Sequence, residues 1–440
     1  MAFQAPRGFN DLMPDVAPLW RHVESTAHRI LALYGYDEVR TPIVEHRDLF
    51  YKTTGEDTDI VEKQMFTIAA GDDVLALRPE GTPGVVRAYV EHNLFKTRQF
   101  RKLYYIGPMF RYERPQAGRF RQFHQIGVEA IGSSDPLLDV ETIRMMAHLF
   151  DALGLTGYTI RLNTLGCPEC RVRRRADLTA NLRGLAERLC ADCRRRLERN
   201  VLRVLDCKNE PCRAAIRQVI APGDSPVGLC EADRARFEFI RSALENAGLP
   251  LQVDPYLVRG LDYYNHEVYE AVHAALGAQD SLGGGGRYDR LVASQDGPDV
   301  GATGFALGFE RLVLAIQSNQ PERLKALTEC GPTVYVVAIG DQARTPCLEL
   351  AERLRRTGIS AELDFERRGL KAQMRCADRL GCRFAAVLGS DEIAAGQVTV
   401  KDLSDGSESK IPAENAADFI QQRISQRGDS HAQRAHGSRT

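Results

Sequence analysis

The 440-residue sequence has no apolar run of about 18 residues, the length that a membrane-spanning helix needs. Its first residues, MAFQAPRGFNDLMP, lack a charged region followed by an apolar one, so we expect no secretory signal peptide. The formal net charge is only −1, so any contact with nucleic acid must come from local basic patches. These absences predict a cytoplasmic protein that no membrane holds.

The number of cysteines is 11 and therefore odd. Six lie in three closely spaced pairs, which favours a reducing compartment and metal ligation over a disulfide framework. The hydrophobic content of 43% and the charged content of 27% are ordinary for a globular protein, and the length suffices for two to three domains.

One stretch, YYIGPMFRYERPQAGRFRQFHQIGVEAIG from Tyr104 to Gly132, organises the rest of the chain. It predicts a strand over Tyr104–Glu113, a turn around Pro115 and Gly118, and a returning strand over Phe120–Ile131. Because strand side chains alternate between faces, one face carries charged and polar groups and the other points toward a core. The polar face is predicted to carry Arg111 and Glu113 on the first strand, and Gln125, Gly127 and Glu129 on the second, with Ile126 and Val128 facing the core.

Before this hairpin, the sequence predicts a helix over Pro14–Tyr34 and a strand over Asp37–Val44 that Pro42 interrupts. A strand at Val74–Leu77 then leads through a proline- and glycine-rich turn into a helix over Val85–Leu94. Glu80 and Thr82 lie beside this helix start, where backbone N–H groups point outward. For Thr82, a helix cap and a ligand contact remain equal alternatives.

Residues 167–230 are rich in arginine and cysteine and predict an inserted helical module between two parts of the main fold, 1–166 and 231–325. Cys167-Pro-Glu-Cys170 and Cys190-Ala-Asp-Cys193 have a spacing that suits a structural four-thiolate zinc, with Cys207 and Cys212 further on. Small buried thiols on packed helices are the equal alternative. The arginine runs at 171–175 and 194–199 suggest contact with phosphates, against the alternative of a solvated helix face.

Two glycine-rich stretches follow, one over Gly283–Asp289 and the other over Gly301–Leu312. In the second stretch, Gly304, Ala306 and Gly308 fall on one strand face, where small residues let a flat ligand or phosphates approach the backbone. Arg311 lies in the first turn of the next helix, against the macrodipole, which an intervening anion would explain. Residues 331–425 then alternate strands and helices, predicting a compact α/β domain, and the polar residues 426–440 predict a disordered tail.

Five segments of the chain resemble known motifs. Phe110-Arg111-Tyr112-Glu113 with the returning strand resembles motif 2 of the class II aminoacyl-tRNA synthetases, Gly304–Arg311 resembles motif 3, and Gly35–Pro42 resembles motif 1. Leu257–Tyr264 and Gly285–Asp289 resemble the two signature peptides of histidyl-tRNA synthetases. The resemblance implies an α+β catalytic domain on an antiparallel sheet, a helical insertion, and a C-terminal α/β anticodon-binding domain. It also implies a homodimer, with Pro42 at its interface.

The resemblance further implies ligation of L-histidine to tRNA(His) with ATP and Mg²⁺. Arg111, Arg259 and Gln125 would form the catalytic set, with the two arginines on the α-phosphate and the histidine carboxylate. The ATP site would consist of Arg111, Glu113, Arg119, Phe123 and Arg311, with Arg311 on the γ-phosphate and Phe123 against adenine. The histidine site would add Glu80, Thr82 and Gln125 for the α-amino group, and Glu129, Tyr263, Tyr264 and Tyr288 around the imidazole.

Each of these residues also has a purely structural alternative, in which Glu129 forms an edge salt bridge, Arg259 pairs with Asp262, and the tyrosines are core aromatics. Two other functions stay open as well. A synthetase-like regulatory subunit of histidine biosynthesis would lack the anticodon domain and degrade the signature peptides, both of which are present here. A plain RNA-binding module would not need Arg111, Arg259 and Arg311 to converge on one nucleotide.

Overall fold

The computed structural model describes residues 3–55, 58, 60–116, 118–220, 228–322 and 331–425. The chain divides into two compact units, Met1–Leu324 and Lys325–Thr440. The predicted disordered tail, 426–440, lies outside the described residues. Among the helices that are described, none combines the length and apolar character required to cross a bilayer. The finer domain boundaries around the insertion stay predictions.

The first unit is built on an eight-stranded sheet and a small three-stranded sheet. Its strands are β1 (Asp37–Glu38), β2 (Val44–His46), β3 (Phe66–Ala70), β4 (Asp73–Leu77), β5 (Arg101–Phe110), β6 (Gln122–Ile131), β7 (Tyr158–Thr164), β8 (Leu251–Val253), β9 (Asn265–His273), β10 (Ser281–Arg287) and β11 (Ala302–Gly308). The large sheet has the order β1-β5-β6-β11-β10-β9-β7-β8, and the small one β2-β4-β3. Only the edge pairs β1–β5 and β7–β8 are parallel, so the predicted antiparallel platform is confirmed in its centre.

The hairpin β5–β6 lies where the sequence predicts it, but its strands are shifted at the turn. The outgoing strand ends at Phe110, so Arg111 and Glu113 lie just beyond it and not on it. The backbone leaves the ladder here because the N–H of Tyr112 donates to the carbonyl of Gln64. On the returning strand, Ile126 and Val128 are completely buried, which confirms the predicted core face.

The helices of the first unit pack around these sheets. They are α1 (Ala17–Leu33), α2 (Arg47–Thr54), α3 (Thr82–Glu91), α4 (Leu94–Thr97), α5 (Pro136–Ala152), α6 (Pro168–Arg183), α7 (Ala191–Arg199), α8 (Glu210–Val219), α9 (Glu231–Asn246) and α10 (Phe309–Asn319). The predicted strand over Asp37–Val44 is wrong as a single element: β1 and β2 flank Pro42 and belong to different sheets. The strands β3, β9 and β10 are not among the elements that the sequence predicts.

Residues 167–220 form helices, as predicted, and these share their own apolar core. Leu178, Leu182, Val204 and Ile216 are almost fully buried in that core. Some of the arginines predicted to meet phosphates, or to be solvated, instead hold the backbone of the first unit. Arg174 is buried and donates to the carbonyls of Thr164 and Pro255, while Arg171 donates to those of Asp262 and Tyr264.

The second unit has a five-stranded sheet in the order β13-β12-β14-β15-β16, whose first three strands are parallel. Its elements are β12 (Val334–Ala338), α11 (Arg344–Arg356), β13 (Ala361–Leu363), α12 (Leu370–Arg379), β14 (Phe384–Leu388), α13 (Ser390–Ala395), β15 (Gln397–Asp402), β16 (Glu408–Pro412) and a helix over 416–425. This confirms the predicted α/β pattern, with β16 as an additional edge strand.

Candidate active site

A cavity of about 860 Å³ opens over the polar face of the large sheet. All of the predicted site residues except Glu129 and Tyr288 line it: Glu80, Thr82, Arg111, Glu113, Arg119, Phe123, Gln125, Arg259, Tyr263, Tyr264 and Arg311. The guanidinium-bearing residues Arg111, Arg259 and Arg311 come from three distant segments and face this one space. The fold therefore brings cations and acidic side chains together around a single pocket.

Glu129 and Tyr288 lie directly behind the cavity wall, and both are about 1% exposed. The hydroxyl of Tyr288 donates a hydrogen bond to Oε2 of Glu129, and the hydroxyl of Thr82 donates to Oε1 at 2.7 Å. Burial raises the pKa of Glu129 to about 8, although these two hydrogen bonds oppose the shift. The edge salt-bridge alternative for Glu129 is wrong, because its partners are hydroxyl groups.

Thr82 is the first residue of α3, and the N-cap position before it belongs to Gly81, so the helix-cap alternative for Thr82 is also wrong. Its hydroxyl points instead to Glu129. A second acidic residue of the same wall, Glu80, is 4% exposed and accepts hydrogen bonds from Thr54 and Tyr263, each at 2.8 Å. Burial raises the pKa of Glu80, and the hydroxyl of Tyr263 and the charge of Arg111 oppose that shift.

Gln125 carries an unused hydrogen-bond acceptor. Its side chain lines the cavity, and the buried oxygen Oε1 has no hydrogen-bond partner among the described residues. An unpaired buried acceptor is costly, so a ligand that donates to it gains affinity. A protonated amine has this chemistry.

Arg259 pairs with Glu270, at 3.0 Å between Nη1 and Oε1, and not with Asp262 as the structural alternative proposed. Asp262 accepts instead from Asn200 at 3.0 Å. Burial acts to lower the pKa of Arg259, but the charge of Glu270 leaves it raised, so the side chain stays a cation. Its Nε is buried without a partner among the described residues, which leaves one donor for a ligand.

Two further cations lie in the turn between β5 and β6. Arg111 donates from Nε to the carbonyl of Pro79 at 2.8 Å, and its guanidinium carbon lies 5.2 Å from the centre of the Phe123 ring. Arg119 pairs with Glu113 at 3.3 Å. Together they place a planar aromatic face, two cations and a carboxylate at one end of the cavity.

Arg311 has backbone partners rather than a carboxylate. Its Nε donates to the carbonyl of Gly118 at 3.1 Å and its Nη1 to that of Ser281 at 2.7 Å. Burial lowers its pKa, and the nearby charge of Arg119 acts in the same direction. Arg311 thus forms no ion pair with a carboxylate among the described residues, which favours an anionic ligand at this point, as its unfavourable helix position predicts.

The glycine stretches make room for side chains as well as for a ligand. A Cβ on Gly304 would lie 2.6 Å from Oε2 of Glu129, and one on Gly284 would lie 2.9 Å from Nη1 of Arg259. Ala306 and Gly308 line the cavity, whereas Gly304 does not. The small residues of β11 therefore serve two purposes: one admits the buried carboxylate, and the other two open the floor.

Sequence reasoning missed several residues of this site. Thr54 and Glu270 orient the predicted residues Glu80 and Arg259, and Tyr105 lies between Gly81 and Gly127 on the cavity wall. The insertion adds polar residues to the rim, namely Asp206, Lys208, Arg213 and Arg217. The glycines at positions 81 and 127, which leave space for the ring of Tyr105, were the available sequence signal for that residue. No local pattern marks Glu270 as the partner of Arg259.

The cysteines do not form the predicted single set of Cys167, Cys170, Cys190 and Cys193. Cys190 and Cys193 cluster with Cys207 and Cys212, whereas Cys167 and Cys170 lie in another cluster. The second cluster also contains Cys230 and Asp233. Within each cluster the candidate ligand atoms lie within 4.8 Å of one another. The two closely spaced pairs that looked alike in the sequence thus belong to different places in the fold.

Comparisons with known proteins agree with this geometry. A sequence profile described as "Histidyl-tRNA synthetase" matches residues 8–312, and one described as "Anticodon binding domain" matches residues 333–423. The chain is 45% identical to a histidine–tRNA ligase of Geobacter metallireducens over 92% of its length and 96% of that protein. It is 44% identical to that of Halothermothrix orenii, covering 96% of this chain and 100% of that protein.

A solved structure gives the same result. The apo histidyl-tRNA synthetase of Staphylococcus aureus matches with a TM-score of 0.78 and 34% identity, over 95% of this chain and 100% of that one. The first profile lies within the first unit and the second profile within the second unit, whereas the relatives and the solved structure extend over more than nine tenths of the chain. The chain belongs to the histidyl-tRNA synthetase family.

Proposed function

We propose that this chain is an active histidine–tRNA ligase and that the described cavity performs its first step. In that step the carboxylate of L-histidine attacks the α-phosphate of ATP, forming histidyl-adenylate and releasing pyrophosphate. The carboxylate is already ionised at neutral pH, so the step needs no general base. It needs positioning and positive charge around the phosphoryl group, which Arg111 and Arg259 supply.

The observation that carries this proposal is the convergence of Arg111, Arg259 and Arg311 on one cavity that also holds buried acidic groups. Three cations suit a triphosphate, and the acids suit an amine and an imidazole. In this assignment Arg311 binds the γ-phosphate, Phe123 stacks on adenine, and Arg119 and Glu113 complete the nucleotide site. The guanidinium group of Arg111 lies over the ring of Phe123. In this assignment it leaves that ring when ATP and histidine bind, and it then contacts the α-phosphate and the substrate carboxylate.

Histidine is recognised at the two ends of the molecule. Glu80, Thr82 and Gln125 bind the α-amino group, for which the unpaired Oε1 of Gln125 is the free acceptor. Glu129 and Tyr264 bind the imidazole nitrogens, with Tyr263 and Tyr288 packed beside them. A site that pairs both ring nitrogens rejects analogues that lack either one, because a buried polar group would then stay unpaired.

The cavity fits a magnesium-bound nucleotide. Glu113 and Glu270 both line it, and carboxylate oxygens are the ligands that Mg²⁺ prefers. These two residues would hold the ion beside the phosphates, where it would neutralise phosphate charge. The structural zinc predicted for 167–193 is a separate matter, because its cysteines lie in the insertion and not among the groups that meet ATP.

The second unit would bind the anticodon of tRNA(His), and the insertion would approach the acceptor stem. The candidate edge for anticodon contact is the start of α12 at Leu370 with the segment 365–368 before it, in which Phe365 is 71% exposed. The transfer step, in which the terminal ribose hydroxyl attacks the adenylate, uses the same cavity. We expect a homodimer with Pro42 at its interface, working in the cytoplasm.

Histidine-dependent exchange of pyrophosphate into ATP tests the proposal directly. We expect exchange with ATP, Mg²⁺ and L-histidine, and none with a histidine analogue that lacks one ring nitrogen. The regulatory-subunit and plain RNA-binding alternatives both predict no exchange. A folded preparation that binds tRNA but exchanges no pyrophosphate would overturn the proposed catalysis while leaving the family intact.

A further inference from the structure

The inserted region contains two separate clusters of thiols that the reaction does not use. One consists of Cys190, Cys193, Cys207 and Cys212, and is called here the insertion cluster. The other consists of Cys167, Cys170, Cys230 and Asp233, and is called here the stem cluster, because its members lie where the chain enters and leaves the insertion. Each cluster offers four ligand atoms that are mutually within 4.8 Å, the number that a tetrahedral metal requires.

Both clusters are built in the same way, from the N-termini of two helices. In the stem cluster, Cys167 precedes α6 and Cys170 lies in its first turn, while Cys230 and Asp233 hold the same two positions in α9. In the insertion cluster, Cys190 and Cys193 hold these positions in α7, and Cys212 lies in the first turn of α8. Cys207 comes from the segment before α8. A helix N-terminus stabilises negative charge, so paired N-termini favour thiolates.

Backbone N–H groups already point at the sulfur atoms. The N–H of Cys190 donates to Sγ of Cys212 at 3.1 Å, and the N–H of Cys230 donates to Sγ of Cys170 at 3.1 Å. Arg173 adds a charged donor 3.3 Å from the same Cys170 sulfur. Donors that converge on sulfur stabilise a thiolate, which is the form that binds metal.

We propose that the protein holds two structural zinc ions, one bound by the four thiolates of the insertion cluster and one by the three thiolates and the carboxylate of the stem cluster. Soft sulfur ligands at tetrahedral spacing select Zn²⁺ over Mg²⁺ or Ca²⁺. The single site of Cys167, Cys170, Cys190 and Cys193 suggested by sequence spacing is replaced by two sites whose remaining ligands come from further along the chain.

Each ion would fix a part of the active site. Asp233 of the stem cluster lies 3.2 Å from Nδ1 of His266, at the start of the strand that follows Tyr263 and Tyr264. In the insertion cluster, Cys207 is flanked by Asp206 and Lys208, which line the catalytic cavity. The stem ion therefore holds the two ends of the insertion together, and the insertion ion holds the cavity rim.

Metal analysis of the purified full-length chain tests the proposal. After expression in zinc-supplemented medium and gel filtration in metal-free buffer, we expect two zinc ions per chain. An intact mass that matches reduced cysteines is expected as well. A content of one or none, or an intact mass lowered by disulfide formation between clustered cysteines, would overturn the two-site assignment.

Paired variants separate the two-site arrangement from the single-site one. Cys207→Ser with Cys212→Ser should remove one zinc and leave the stem ion, whereas Cys230→Ser with Asp233→Asn should remove the other. The single-site arrangement predicts no loss from either pair. Cys347→Ser is the matched control, because Cys347 is a buried thiol of the second unit outside both clusters; it should leave both ions in place.

Cobalt substitution gives a reading on the unmodified sequence, so misfolding of a variant cannot decide the outcome. The Co²⁺-loaded protein should show intense sulfur-to-metal charge-transfer bands with tetrahedral d–d absorption for two ions. Each paired variant should lose the part of this absorption that comes from the ion in its own cluster. Weak absorption of the kind that oxygen ligands give would contradict thiolate ligation at either site.

Discussion

The hydroxyl of Tyr263 donates a hydrogen bond to Oε2 of Glu80 at 2.8 Å, although 183 residues separate the two in the chain. Thr54 donates to the other carboxylate oxygen. Because the peptide that carries Tyr263 also carries Arg259, this bond links the proposed amino-group site to the proposed carboxylate site. A substitution at the amino-group site is therefore expected to change the position of Arg259 at the carboxylate site, and a substitution at the carboxylate site to change the position of Glu80.

The first prediction concerns Arg259. Arg259→His should lower the rate of histidine-dependent pyrophosphate exchange by about a hundredfold or more, because the lost interaction belongs to the transition state. The fold should remain, as measured by circular dichroism. The matched control is Arg241→His, since Arg241 pairs with Glu238 on α9 outside the cavity.

Removing Arg259 also takes the cation away from Glu270, which then keeps only the hydrogen bond from Ser281 among the described residues, so a second variant is needed to identify the cause. Adding Glu270→Gln to Arg259→His should recover thermal stability but not the exchange rate. Recovery of the rate in the double variant would mean that Arg259 only neutralises Glu270, and the catalytic assignment would then be wrong.

The second prediction concerns Arg311 and the nucleotide. Arg311→Lys keeps the charge but loses the planar fork that donates to both Gly118 and Ser281. We expect KM for ATP to rise by about tenfold, an affinity loss of about 1.4 kcal/mol, with KM for histidine unchanged. Arg356→Lys, at an exposed position of the second unit, should change neither constant.

The single tryptophan gives an independent measurement of this binding step. Trp20 stacks on Phe309, the first residue of the helix that carries Arg311, with 4.1 Å between the ring centres. Titration with ATP should change its fluorescence, and the midpoint should move to higher ATP in Arg311→Lys. A rise in KM without any shift of this midpoint would place the role of Arg311 after binding.

The third prediction is a pH dependence that originates at Glu129. Its pKa is about 8 in the folded protein against 4.5 for the free side chain, so the folded state holds a proton that the unfolded chain has lost. The stability that this group contributes is present below about 4.5 and is lost as the pH rises toward 8. Glu129→Gln has no such proton, so its Tm should fall less than that of the parent between pH 5 and about 8.

Histidine binding should displace the same proton from Glu129. A neutral imidazole N–H favours the ionised carboxylate, so binding at pH 7 should release a proton, measurable by calorimetry in buffers of different ionisation enthalpy. Glu129→Gln should release none and bind histidine about tenfold or more weakly. Glu245→Gln, on the surface of α9, is the control; equal proton release in all three proteins would contradict the assignment.

The fourth prediction concerns Tyr105 and the glycines that enclose it. A Cβ on Gly127 would lie 2.1 Å from Cζ of Tyr105, so Gly127→Ala should lower the free energy of unfolding by about 1–3 kcal/mol. Chemical denaturation followed by Trp20 fluorescence measures this change. Gly184→Ala, where the nearest atom is 3.8 Å away, should be close to neutral.

A compensating variant identifies the cause of that loss. Gly127→Ala combined with Tyr105→Leu should regain most of the stability, because the ring that clashes is gone. The double variant should still bind histidine weakly, since the cavity wall has changed. Failure to regain stability would contradict the clash with the Tyr105 ring as the cause of the loss.

Local chemistry explains why much of the site could be predicted. Several parts of the site are short contiguous segments: the turn between β5 and β6, the small residues of β11 and the signature peptides. A pattern within such a segment fixes which side chains share a face. Alternation alone thus separated Gln125 and Glu129 from Ile126 and Val128, and the structure confirms that separation.

The sequence by itself determined the family motifs, the buried face of β6, the helical insertion and the α/β pattern of the second unit, because turns and periodicity act over a few residues. Only the tertiary structure decided that Arg259 pairs with Glu270, that Thr82 reaches Glu129, and that Cys167 and Cys190 belong to different clusters. These choices join segments that lie far apart in the chain. Spacing along a sequence limits how far two residues can separate, but packing alone selects which of them meet.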